Sequence, residues 1–216
     1  MTSREFRERL GRRARKAGVV LTADLVQWLE CYYQLLSLWN RRVNLTALKL
    51  DEGGDDVFDR LLIEPLSATR FLPQSAASLV DIGSGGGSPA IPMKLAAPSL
   101  SLTMVEAKTR KSAFLREAIR QLDLFGTVVE TARYEELLAR PDLHERADVV
   151  TARAVRIETR TLLSVQAFLK PGGSVFLFRG GAGPDVPSAI PPPLVWIATH
   201  PLVDATHAKL VVLQKL

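Results

Sequence analysis

The stretch Asp81-Ile-Gly-Ser-Gly-Gly-Gly-Ser88 follows the apolar run Ser78-Leu79-Val80, and its reading decides the fold. It reads as a buried strand entering a glycine loop, with a carboxylate near the strand's end. Glu106 stands twenty-five positions after Asp81 and closes a second apolar run, 100–105. Two strand ends, each with an acid and separated by a helix-sized gap, make the front half of a βαβ nucleoside-binding unit. Glycines let the backbone turn sharply and pass close to a ligand, where a Cβ would obstruct it. An acid at the place of Glu106 can accept hydrogen bonds from both hydroxyls of a ribose.

The loop excludes some ligands. No Gly-Lys-Ser/Thr follows the glycines, so this is not a P-loop. A dinucleotide fingerprint has glycine at its sixth position, where this chain has Ser88. The charge of Asp81 would repel a pyrophosphate. The same carboxylate suits a cationic, amine-bearing ligand such as S-adenosylmethionine. The residues favour that methyl donor, with a nicotinamide oxidoreductase as the competing reading.

Outward from the loop, short apolar runs at 79–82, 100–105, 127–130, 147–151, 174–178, 194–199 and 209–213 read as seven strands. Helical segments alternate with the first five, and 110–124 is the clearest, with Phe114, Leu115, Ala118, Ile119 and Leu122 on one face and Gly126 beyond its end. This pattern predicts an α/β fold with a mostly parallel seven-stranded sheet and helices on both faces. The last two strands lack a helix-length gap, so they are expected to pair antiparallel at one edge. Ahead of the sheet, Thr22 and Asp24 open a helix with an apolar stripe to about Asn40, and Pro65 must kink or restart a second helical stretch, 57–71. The expected division is an N-terminal helical extension, 1–72, and a cofactor-binding domain, 73–216.

The chain of 216 residues has a net charge of +5. Residues 1–16 carry seven basic and two acidic side chains, so the whole excess sits there and the other 200 residues balance. Such an arm suits phosphate contacts, or else forms a solvated helix face. The sequence shows no secretory signal, and the uncharged stretch 186–203 holds five prolines, including Pro187, which rules out a membrane helix there. A single cysteine, Cys31, is expected in the core, and the expected compartment is the cytoplasm.

Further motifs extend the pattern: Trp39-Asn40-Arg-Arg-Val-Asn44-Leu-Thr46, the loop continuing to Pro92, Arg110-Lys111-Ser-Ala-Phe114-Leu115, Ala132-Arg133-Tyr-Glu-Glu136, Ala152-Arg153-Ala154, Leu169-Lys-Pro-Gly-Gly173 and Arg179-Gly180. Together, over residues 20–215, they resemble the RsmG (GidB) family of guanine-N7 methyltransferases acting on 16S ribosomal RNA. The resemblance implies an S-adenosylmethionine pocket built from Asp81, Gly83, Ser84, Gly85, Gly87, Ser88 and Glu106, with Tyr134 and Glu135 beside the adenine and Arg153 at the cofactor. It implies Asn44, Arg133 and Arg179 near the acceptor. The implied partner is 16S ribosomal RNA or the small ribosomal subunit, met by a monomer without a metal.

Two stretches depart from the family. Its His-x-x-Asp-Ser-Leu segment reads Leu61-Leu-Ile-Glu64-Pro65-Leu66 here, and its arginine before the last strand is Ala208. These changes keep a different RNA or small-molecule acceptor open, and a non-catalytic RNA-binding module shares the fold. No catalytic acid or base is expected, because guanine N7 carries a free lone pair; the protein's task is positioning.

Overall fold

The computed structural model describes residues 1–153, 158–180 and 189–216; Ala154 and Pro187 lie outside the described residues. Its strands are β1 (Ser78–Ile82), β2 (Ser101–Val105), β3 (Thr127–Glu130), β4 (Ala147–Arg153), β5 (Leu169–Arg179), β6 (Leu194–Val203) and β7 (Ala208–Lys215). Among the described residues they form one sheet in the order β3-β2-β1-β4-β5-β7-β6. The first five are parallel, and β7 runs antiparallel to both β5 and β6. The expected antiparallel pair is present, with β7 inserted between β5 and β6. Composition explains the choice: Leu210, Val211 and Leu213 of β7 are buried, whereas β6 leaves Trp196 and Ile197 about half exposed, as an edge strand can.

The helices are α1 (Ser3–Lys16), α2 (Ala23–Val43), α3 (Asp55–Phe58), α4 (Glu64–Ala68), α5 (Ala90–Ala96), α6 (Thr109–Gln121), α7 (Tyr134–Leu137) and α8 (Thr159–Val165). They cover both sheet faces, as the alternation along β5 shows. Phe176 and Phe178 join a core shared with α1, α2, α5 and α6, while Val175 and Leu177 pack with Leu162 and Val165 of α8. Thr22 caps α2 as expected, its hydroxyl accepting from the Leu25 amide at 3.2 Å.

The N-terminal segment departs from the expected arm. It is a docked amphipathic helix, with Phe6, Leu10 and Ala14 buried at four-residue spacing. Phe6 packs against Tyr33 and Phe58, ring centroids 5.5 and 5.2 Å apart. Its cations largely face acids of the same chain: Arg4 meets Glu8, Arg7 meets Glu30, Arg12 meets Asp55, and buried Arg13 grips buried Asp59 with two nitrogens. Most of the arm's charge is therefore matched internally. Cys31 is a second correction. It is exposed, because it lies two residues, roughly 200° of helix, past buried Leu29.

Pro65 reshapes its helix more than a kink would. Between α3 and α4, residues Asp59–Ile63 form a π turn, and the Glu64 amide bonds back five residues to Asp59. Pro65 has no N–H to give. The carbonyl of Arg60 thus loses both helical donors within reach, and that of Leu61 loses its i+4 donor. Freed acceptors of this kind need partners from elsewhere.

Candidate active site

Strand register builds the site. Ile82 of β1 pairs with Val105 of β2, so the glycine loop and Glu106 leave the sheet side by side. The amides of Gly83 and Ser84 both bond to the Val105 carbonyl, at 2.9 and 3.0 Å. Glu106 then closes the loop: Oε2 accepts from the Gly85 amide at 2.9 Å and Oε1 from the Lys108 amide at 2.8 Å. A carboxylate has about four lone-pair sites, so each oxygen of Glu106 keeps room for one more donor. Gly85 has φ +51°, which other residues adopt only with strain, and a Cβ there would meet nothing closer than 3.7 Å. Gly87 is different: a Cβ would collide with the Ile91 side chain of α5. Close helix packing therefore falls on Gly87, one position before Ser88.

The helical extension supplies the opposite wall. Tyr32 donates to the Gly86 carbonyl, and Asn40 Oδ1 accepts from the amides of Leu45 and Thr46 at 2.7 and 2.9 Å. This holds residues 45–48 over the glycines. The π turn completes the wall. Ser88 Oγ donates to the Leu61 carbonyl at 2.9 Å, and Arg153, at the end of β4, donates to the Arg60 carbonyl, to Ser88 Oγ and to the Glu64 carboxylate. Glu64 Oε1 also accepts from Thr206 Oγ1 at 3.0 Å. Arg153 lies over the Phe178 ring, 5.0 Å from its centroid. Burial pushes the Glu64 carboxyl up and the Arg153 guanidinium down from their usual ranges, each partly countered by the other's charge.

These residues line a cavity of about 770 Å³ at the carboxyl ends of the strands, where open α/β sheets hold ligands. Its wall contains Gly83, Ser84, Gly85, Ser88, Glu106, Arg153 and Arg179 from the expected set, and also Arg60, Glu64, Lys108, Lys111 and Thr206. The departures Leu61, Glu64 and Ala208 all lie in this wall. A smaller hollow of about 290 Å³ adjoins it, lined by Val43, Asn44 and residues 108–111. Another groove, about 900 Å³ between α2, α5 and the end of α6, contains none of the expected site residues.

Six expected residues fall outside the cavity wall. Asp81 is buried beneath the loop: Oδ1 accepts from Thr151 Oγ1 at 2.6 Å, because register sets Asp81 beside Thr151, and Oδ2 has no hydrogen-bond partner among the described residues. Burial pushes its pKa up to about 6. Gly87 packs against α5. Asn44 is the left-handed residue that ends α2 and reaches only the smaller hollow. Arg133, Tyr134 and Glu135 start α7 after β3, the edge strand beyond β2; Tyr134 turns onto the second core cluster, while Arg133 and Glu135 are exposed. Sequence reasoning missed Lys108, although its spacing from Glu106 was a signal. Arg60 and Thr206 carried none.

The sheet order and the glycine loop at the end of β1 define a class I methyltransferase fold. A SAM-dependent methyltransferase from Aquifex aeolicus superposes with a TM-score of 0.57 at 11% identity, covering 74% of this chain and 93% of that one. Residues 25–185 match the family described as rRNA small subunit methyltransferase G (GidB). The ribosomal RNA small subunit methyltransferase G of Leuconostoc mesenteroides is 35% identical over 185 residues, 84% of this chain and 74% of the relative. That of Myxococcus xanthus is 34% identical over 184 residues, 83% and 81% respectively. The chain belongs to the rRNA small subunit methyltransferase G family.

Proposed function

We propose that this chain methylates N7 of a guanine in 16S ribosomal RNA, using S-adenosylmethionine, as a monomer in the cytoplasm. Family membership supports the RNA acceptor. The observation that carries the cofactor is the Glu106–Gly85 closure: a buried carboxylate with spare acceptor capacity borders a glycine-walled cavity large enough for a nucleoside ligand. When bound, the cofactor supplies an electrophilic methyl group on sulfur. Glu106 would hold the ribose hydroxyls, and Gly83, Ser84 and Gly85 would form the floor. Among the described residues no helix is long and apolar enough to cross a membrane.

Positioning does the chemical work. Guanine N7 has no proton to remove, and none of the cavity-lining residues is a histidine. Aligning a nucleophile with its target is worth roughly 7–11 kcal/mol in well-oriented pairs. The cations Arg60, Lys108, Lys111 and Arg179 border the cavity where an RNA strand would bring phosphates. Incubating the protein with methyl-labelled cofactor and 16S RNA or small subunits, then digesting to nucleosides, should yield labelled 7-methylguanosine. Label on another nucleoside would favour the second reading, a different acceptor, which the placement of Leu61, Glu64 and Ala208 in the cavity wall supports. No label in RNA would overturn the proposal.

A further inference from the structure

We propose that Glu64 selects the acceptor base by binding the Watson–Crick edge of guanine, with Arg179 on the adjoining carbonyl oxygen. The inference rests on the guanine reading above and adds the side chains that choose the base.

The order of strands separates the two ends of the cavity. Along the carboxyl edge come Glu106 after β2, the glycine loop after β1, Arg153 on β4, Arg179 on β5 and the Thr206–Ala208 turn before β7. From β2 to β7 is four strand steps, roughly 19 Å. Glu106 marks the nucleoside end, so the acceptor falls toward β5 and β7. Glu64 reaches that end through its bonds to Arg153 and Thr206. Among the described residues lining the cavity, Glu64 and Glu106 are the only carboxylates.

Hydrogen-bonding capacity matches guanine. Glu64 is nearly buried in the cavity wall and uses one acceptor site on each oxygen, so each oxygen retains capacity for one further donor. Guanine offers N1–H and the N2 amino group side by side, a paired donor face for a carboxylate. Adenine presents an acceptor at N1, which a carboxylate repels. Next to N1–H stands the acceptor O6. Arg179 also borders the cavity, and a guanidinium carries several donors suited to a carbonyl oxygen. N7 lies on the opposite edge and stays open to attack.

The same contact favours the reaction. As the sulfur–methyl bond breaks, its electron pair stays on sulfur, and the N7 lone pair forms the new bond. Positive charge appears on the purine, and no proton is transferred. N1–H becomes a stronger donor in that cation, so a carboxylate there binds the transition state more tightly than the neutral base.

The test is affinity for free nucleotides, measured calorimetrically on the full chain with S-adenosylhomocysteine present. Guanosine monophosphate should bind about tenfold more tightly than inosine monophosphate, which lacks the N2 amino group, and 7-methylguanosine monophosphate more tightly still. Glu64→Gln should shrink the guanosine-to-inosine ratio to about twofold or less. Arg179→Met should weaken both nucleotides alike, because both carry O6, and leave the ratio intact. Thermal melts of each variant establish folding, and the wild-type ratio needs no variant. Equal binding of the two nucleotides by the wild type, no binding of either, or an undiminished ratio in folded Glu64→Gln overturns the inference. Methylation of 16S RNA by the same preparation separates the two readings. Labelled 7-methylguanosine without nucleotide discrimination sinks base selection by Glu64 and keeps the proposed function. Discrimination without methylation does the reverse.

Discussion

The hydroxyl of Tyr32, in the middle of α2, donates a 2.7 Å hydrogen bond to the carbonyl of Gly86, 54 residues later. Tyr32 is fully buried, so the helical extension holds the glycine loop through a bond that water cannot replace. Tyr32→Phe should lower stability by about 1–3 kcal/mol, the penalty for a buried carbonyl left without its donor. Cofactor affinity should fall with it, since Gly85 is the next residue. Urea unfolding and S-adenosylhomocysteine titration of the variant check both effects; affinity equal to wild type would show that the loop holds its shape unaided.

Arg13 and Asp59 form a second link, buried on both sides. Arg13→Met should destabilise by about 3–5 kcal/mol, because a buried carboxylate is left unpaired. Arg4→Ala, which breaks an exposed pair, should change stability by under about 1 kcal/mol. Deleting residues 1–16 should compromise folding, with Phe6 and Leu10 lost from the core. Chemical denaturation of the three proteins separates these outcomes, and a fully stable truncation would refute the docked-helix account.

Asp81 gives stability a pH dependence of unusual sign. Its folded pKa is about 6 against an ordinary value of 3.8, so between roughly pH 4 and 6 the native state keeps a proton that the unfolded chain releases. Stability from this group is present below the unfolded pKa and lost as pH rises through the folded one, by up to about 3 kcal/mol. Asp81→Asn cannot titrate. The wild type should therefore lose stability relative to the variant as pH climbs from 4 to 6.5, by denaturation at each pH. A constant difference across that range would contradict the burial argument.

Glu106 serves both the loop and the ligand. Glu106→Ala should weaken cofactor binding by about 1.5–3 kcal/mol, the worth of hydrogen bonds to a charged acceptor. Gly87→Ala should instead act on stability, by about 1–3 kcal/mol of overpacking against Ile91. Calorimetric titration and thermal melts, run on both variants, should show Gly87→Ala losing mainly stability, and Glu106→Ala losing affinity together with some stability, because the Gly85 and Lys108 amides lose their acceptor.

Lys108, Arg110 and Lys111 surround the start of α6 without a described acidic partner, an arrangement that works against the helix dipole. If RNA lies here, each Ala substitution that removes a phosphate contact should reduce the log–log salt slope by about 0.7 for a single strand. Filter binding of a 16S fragment across a salt series measures it. Slopes matching wild type in all three variants would move the RNA path elsewhere.

The glycine loop, Glu106 and the seven strands were legible because each is written in a continuous run of residues with its own period. The acceptor end was not. Arg153 meets Glu64 across 89 positions, and Glu64 meets Thr206 across 142, so no local pattern announces either contact. Glu64 stood out in the sequence only as a departure from a family motif; the fold turns it into part of the wall. The docking of α1 was written in Phe6, Leu10 and Ala14, but the arginines between them drew attention to charge. Tyr134 and Glu135 follow β3 as expected, yet an edge strand carries them past the cavity.

The π turn before Pro65 has a consequence for which positions can change. The groups that seat Arg153 and Ser88 there are main-chain carbonyls of residues 60 and 61, present whatever side chains those residues bear. The side chain of Leu61 is thereby free of any hydrogen-bonding duty and serves the core and the cavity wall instead, so a residue of similar volume and polarity could replace it without removing either acceptor. Pro65 is the opposite case, for it acts by subtraction. Any other residue at 65 restores an amide able to compete with Ser88 for the Leu61 carbonyl.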